Sequence, residues 1–132
     1  KFNTRDGMGI KLLQKAGILT AIITQESTKI VMRRAQKLTI PEVHQGVYDK
    51  LAVLKELIAR HGLSMDQVAY IGDDVNDKPI MSLVQEEGLT AIPADALPAL
   101  RGSAHFQAEQ PGGHGAFRAF ADWILSLRGE LH

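Results

Sequence analysis

The chain has 132 residues, 45% of them hydrophobic, which suits one globular domain with a real core. Fifteen Lys and Arg balance fifteen Asp and Glu, so no overall field gathers nucleic acid or an anionic membrane, and a charged ligand has to be caught locally. The absence of cysteine excludes disulfide scaffolds, thiolate metal sites and cysteine nucleophiles and suits a cytoplasmic protein, while no apolar run approaches the roughly 18 residues of a membrane span.

In chain order, the pattern opens on a helix, Gly7 to Ala16. Leu19-Thr20-Ala21-Ile22-Ile23-Thr24 follows, a short apolar run that reads as a strand buried on both faces. Ser27 is placed to cap a helix with Ile30, Val31, Ala35 and Leu38 at helical spacing, and Pro41 stops it. Glu42 to Gln45 is a short strand. A second amphipathic helix runs from Tyr48 to Arg60, with Leu51, Leu54, Leu57 and Ile58 on one side and Gly62 where a C-terminal cap belongs.

Val68 to Ile71 is the next strand. The helix after Asp77 has Pro79 near its first turn and ends by Gly88; Leu89 to Ile92 and Ala104 to Phe106 are further strands. Phe117, Phe120, Ala121, Ile124 and Leu127 mark a closing helix. Strands alternating with helices predict right-handed crossovers and a parallel sheet covered on both faces, a three-layer doubly wound, Rossmann-like α/β fold in one domain over residues 1–132. Because that pattern starts on a helix, a first strand is expected before Lys1.

In such a sheet ligands bind beyond the carboxyl ends of the strands. The first strand ends on Thr24, the second leads to Lys50, and the third ends on Gly72 with Asp73, Asp74 and Asp77 in YIGDDVNDKP. Singly, Thr24 is a strand end, Lys50 a solvated helix residue, and the acids a turn with caps. In this order they converge on one edge. Carboxylates without Cys or His partners suit a hard, oxygen-preferring cation, and magnesium takes one or two carboxylates together with phosphate and water. A lysine and a threonine hydroxyl around a metal-bound phosphoryl group would stabilise charge as it shifts during transfer.

A strand ending in Thr, then Lys, then GDDxxD resembles three of the four motifs of the haloacid dehalogenase-like phosphatases. FNTRDGMGIKLL, AIITQES, HQGVYDKL, VAYIGDDVNDKPIM, GLTAIPADA and GGHGAFR narrow the resemblance to the capless branch acting on 3-deoxy-manno-octulosonate (KDO) 8-phosphate and on nine-carbon, sialic-type sugar 9-phosphates. The resemblance implies that Asp73 ligates magnesium, with Asp74 beside it on the metal and Asp74 and Asp77 holding waters, Lys50 or the loop. Lys50 stabilises an aspartyl-phosphate intermediate and Thr24 binds a phosphoryl oxygen. The Asp-x-Asp that supplies nucleophile and acid-base in the family would precede Lys1. The branch also implies homotetramers whose neighbouring chains close the site.

KDO phosphatases usually read Thr-Gly-Arg after the second strand, whereas this chain reads Thr24-Gln25-Glu26, followed by Arg33, Arg34 and Lys37 on the next helix. That resembles the nine-carbon group. An Arg can grip a sugar carboxylate with paired hydrogen bonds and a Glu can accept from glycerol-chain hydroxyls, against the plainer reading of a solvated basic face. His114 stands where many relatives have Arg, before a helix N-terminus that favours an anion. His44 and His105 read as packed strand residues. The expected function is a magnesium-dependent phosphatase for an acidic sugar phosphate, nine-carbon first and KDO second. The rival is a noncatalytic assembly domain, like those with degraded motifs in some sialic-acid cytidylyltransferases; a signalling receiver domain has its Asp, Thr and Lys in a different order.

Overall fold

The computed structural model of the chain describes residues 12–25, 27–73, 75–111 and 115–129. Residues 12–15 are helical (α1). There follow β1 (Ala21–Ile23), α2 (Lys29–Lys37), β2 (Glu42–His44), α3 (Lys50–Arg60), β3 (Ala69–Ile71), α4 (Lys78–Glu87), β4 (Leu89–Ile92), β5 (Phe106–Gln107) and α5 (Ala116–Leu127). Thr28, not Ser27, caps α2: its backbone is extended and its side chain accepts from the Val31 N–H at 3.2 Å.

All strand pairs are parallel, with Ile22 opposite Val43, Tyr70 opposite Thr90 and Ala91 opposite Phe106. They form a β1-β2 pair and a β3-β4-β5 sheet. The single sheet expected from the sequence is thus in two parts among the described residues. An apolar cleft of about 400 Å³ runs between them, with Ala21 and Ile23 on one side, Ala69 and Tyr70 on the other, and Leu57 of α3 and Phe120 of α5 closing its faces. The cleft explains why β1, expected to be buried on both faces, leaves Ala21 exposed.

Successive strand residues alternate between two helical layers, as the period of two requires. Ile92, Ile23 and Tyr70 pack with Leu54 of α3 and Ile80, Met81 and Val84 of α4. Ala91 and Ile71 face the other way, onto Leu13 and the α5 residues Phe120, Ala121, Ile124 and Leu125. Ile22 and Val43 join Ala35 and Leu38 of α2. Helices therefore cover both faces, the doubly wound arrangement. Where α4 turns into β4, a Cβ on Gly88 would lie 2.3 Å from the Val68 carbonyl oxygen, so only glycine fits this approach.

At the amino end of β2, Glu42 joins α3 to the sheet. Its carboxylate accepts from Arg60 at 2.6 Å and lies 2.8 Å from His61 Nε2 and 2.9 Å from His44 Nε2. The His61 and His44 contacts, with Arg60 after them, hold its pKa down to about 2. His105 lies just before β5, is exposed, and accepts the Thr90 N–H on Nδ1 at 3.1 Å, so it is a turn residue and not the packed strand residue expected.

Candidate active site

Lys50 opens α3, and two ordinary preferences oppose it there. A cation is disfavoured at the positive end of a helix, and an ammonium is costly to bury. Yet Lys50 is 9% exposed. Asp49 caps the helix by accepting from the Ala52 N–H at 3.1 Å, and Asp77 meets the Lys50 Nζ at 2.8 Å with its own side chain only 3% exposed. A buried ion pair is held where its remaining valences are filled. The solvated-helix reading of Lys50 does not describe this residue.

Asp77 is filled from three sides. Its Oδ1 accepts from Lys50 and, at 2.5 Å, from the Tyr70 hydroxyl; its Oδ2 accepts the backbone N–H of Asp73 at 2.9 Å. Burial, then the Asp77 charge and hydrogen bond, push the Tyr70 hydroxyl far above its ordinary range, so it stays a donor. Gly72 makes this convergence possible: a Cβ there would stand 2.7 Å from both Cβ and Cγ of Asp77. For Asp77, then, the charge that offsets its carboxylate is Lys50.

Asp73 follows β3 with its side chain on the exposed carboxyl edge, and its carbonyl accepts the Leu97 N–H at 3.3 Å, tying the loop after β4 to the same edge. Thr24 closes β1; its N–H donates to the His44 carbonyl at 2.9 Å and its carbonyl accepts from Val47 at 2.9 Å, which brings the loop leading to Lys50 alongside. Gln25 is joined to this group by Asn76, whose Nδ2 donates to Gln25 Oε1 at 2.8 Å while its Oδ1 accepts from Lys50 at 3.3 Å. The structure thus brings Gln25, Lys50, Asp73 and Asp77 into one hydrogen-bonded group with Thr24 beside it.

Arg34 and Lys37 lie in the last turn of α2, which carries the chain back toward the amino end of β2 and away from that edge. Glu26, Asp74 and His114 fall outside the described residues. Tyr70 and Asn76 were missed by sequence reasoning. The signal for Tyr70 was a lone hydroxyl in an apolar strand, and for Asn76 its place inside GDDVND.

Among the described residues no group of three or more His, Cys, Asp or Glu side chains is gathered as a metal-ligand set. The donors at the edge are oxygens, with Asp73 exposed and Asp77 committed to Lys50, Tyr70 and a backbone N–H. An exposed carboxylate at this edge fits magnesium, which needs few protein ligands and keeps waters and phosphate. Lys50 has three N–H groups, two of them directed to Asp77 and Asn76.

No protein-family model matches the sequence. The 3-deoxy-D-manno-octulosonate 8-phosphate phosphatase of Yersinia pestis is 43% identical over 130 residues, 98% of this chain and 68% of that protein. Its crystal structure superposes with a TM-score of 0.90 at 42% identity, covering 98% of this chain and 69% of that one. The Moraxella catarrhalis enzyme of the same name, in complex with magnesium ion, phosphate ion and KDO, gives a TM-score of 0.86 at 32% identity over 96% of this chain and 76% of that one. With an edge of matching order and likeness along almost its whole length, the chain belongs to the KDO 8-phosphate phosphatase family of capless haloacid dehalogenase-like phosphatases.

Proposed function

We propose that the protein containing this chain is a magnesium-dependent phosphatase that releases inorganic phosphate from an acidic sugar phosphate in the cytoplasm. The observation that carries this reading is the buried Lys50–Asp77 pair, 2.8 Å long, beside the exposed Asp73 at the end of β3. Asp73 and Asp74 hold the magnesium, which supplies Lewis-acid stabilisation of phosphoryl charge when bound. Lys50, fixed by Asp77, meets a phosphoryl oxygen, and the Thr24 hydroxyl donates to another. Arg34, Lys37 and His114 contact the sugar from the margins, His114 across a subunit boundary.

An Asp-x-Asp strand ahead of Lys1 supplies the nucleophile, and the reaction passes through an aspartyl-phosphate. The apolar cleft between β1 and β3 supports this, being lined on both sides by strand residues that a further strand would cover. Ile30, Tyr48 and Val75, respectively 71%, 78% and 65% exposed, stand near the same edge and favour a homotetramer in which neighbours close the site.

KDO 8-phosphate is the first substrate to try, because a relative of 43% identity carries that name. The nine-carbon 9-phosphates come second, favoured by Thr24-Gln25-Glu26 in place of Thr-Gly-Arg. Phosphate release from both, by the full-length protein and by its Glu26→Arg variant, tests the reading. Release from neither returns the chain to a noncatalytic assembly role, and an unmoved preference in the variant removes Glu26 from the specificity argument.

A further inference from the structure

We infer that Asn76 is a positioning residue that sets substrate selectivity by fixing which end of the Gln25 carboxamide faces the ligand, an inference that rests on the phosphatase reading above. An ammonium can only donate, so the Asn76 atom 3.3 Å from Lys50 Nζ has to be the amide oxygen. That leaves the Asn76 NH2 for Gln25, 2.8 Å away, and an NH2 requires an acceptor, so Gln25 presents its Oε1 to Asn76. The Gln25 Nε2 is thereby turned outward as a donor pair.

The polarity of this relay therefore starts at the buried Asp77–Lys50 pair and ends on an exposed side chain beside Thr24. Gln25 and Asn76 are separated by 51 residues in sequence and sit on loops after different strands, so the bond also fixes the distance between the two loops. An outward NH2 next to the phosphoryl site selects for an acceptor on the ligand body, a carboxylate or a hydroxyl oxygen. It offers nothing to a substrate whose remainder is an apolar ring.

The test is a double-mutant cycle in the full-length protein with magnesium. The ratio of kcat/KM for the acidic sugar phosphate to kcat/KM for p-nitrophenyl phosphate is measured for the parent, Gln25→Ala, Asn76→Ala and the double variant. Loss of one oriented hydrogen bond to a charged ligand predicts a fall of about tenfold in that ratio for each single variant, carried by KM for the sugar phosphate. The double variant falls no further, because both changes remove the same contact. Asn76→Asp, which keeps an acceptor for Lys50 and cannot donate to Gln25, lowers the ratio like Asn76→Ala.

An unchanged ratio in both Asn76 variants, or a drop of about a hundredfold in the double variant, overturns the inference. Parent protein that hydrolyses p-nitrophenyl phosphate but no acidic sugar phosphate overturns the substrate reading and this inference with it. Loss of selectivity in Gln25→Ala alone overturns only the role of Asn76.

Discussion

Tyr70 and Lys50 donate to the same oxygen: Asp77 Oδ1 receives the phenol at 2.5 Å and the ammonium at 2.8 Å. Two donors on one oxygen fix the carboxylate's rotation, and its other oxygen then meets the Asp73 N–H. The strand, the helix and the acidic loop are locked together through one side chain. Tyr70→Phe keeps the ring in the core and deletes one donor. It is expected to lower stability by about 1.5 to 3 kcal/mol, the range for hydrogen bonds to charged groups, measured by urea unfolding. A midpoint matching that of the parent removes Tyr70 from the network.

Gly72→Ala pushes a methyl group to within 2.7 Å of the Asp77 Cβ and Cγ. Asp77 has to move, and Lys50 with it. Overpacking of this kind costs about 1 to 3 kcal/mol, and phosphate release by the full-length protein is expected to fall well beyond what the stability loss explains. Gly102→Ala is the control, since a Cβ there meets nothing within 4 Å. Equal behaviour of the two variants contradicts the role given to Gly72.

The Glu42 carboxyl predicts an acid dependence of stability at the opposite end of the sheet. Its pKa is lowered from 4.5 to about 2, first by His61 and then by His44 and Arg60. A depressed folded pKa means that the contribution is complete above the unfolded value and is lost as pH falls through about 2. Glu42→Gln should therefore be less stable than the parent above about pH 4.5, and the gap should close between that pH and 2. Unfolding midpoints across this range check it. A gap that stays constant through the window contradicts the assignment.

Much of the fold was legible because it depends on local pattern. Leu89–Ile92 forms β4 at its expected bounds, a run of four apolar or β-branched residues between Gly88 and Pro93. The last strand shifted from Ala104–Phe106 to Phe106–Gln107, because the Ala104 N–H closes a turn onto the Arg101 carbonyl and is not free for the ladder. The burial of β1 was misjudged for a non-local reason: among the described residues it pairs only with β2, and an apolar cleft separates it from β3. The order Thr24, Lys50, Asp73 placed the three at one edge, since strand ends in a parallel fold share it. Which acid serves Lys50 and which stays exposed depends on Gly72 and Tyr70, and the Asn76 relay depends on a partner 51 residues away. Spacing along the chain carries no record of such contacts.

Asp73 is proposed as the carboxylate this chain offers to magnesium, while Asp77 serves Lys50. Asp73→Asn in the full-length protein tests it, with phosphate release and magnesium binding by calorimetry measured on the same preparation. Loss of both is expected, with an unfolding midpoint close to that of the parent, because Asp73 is exposed and its N–H bond to Asp77 is retained. Magnesium binding and turnover that match the parent would contradict it.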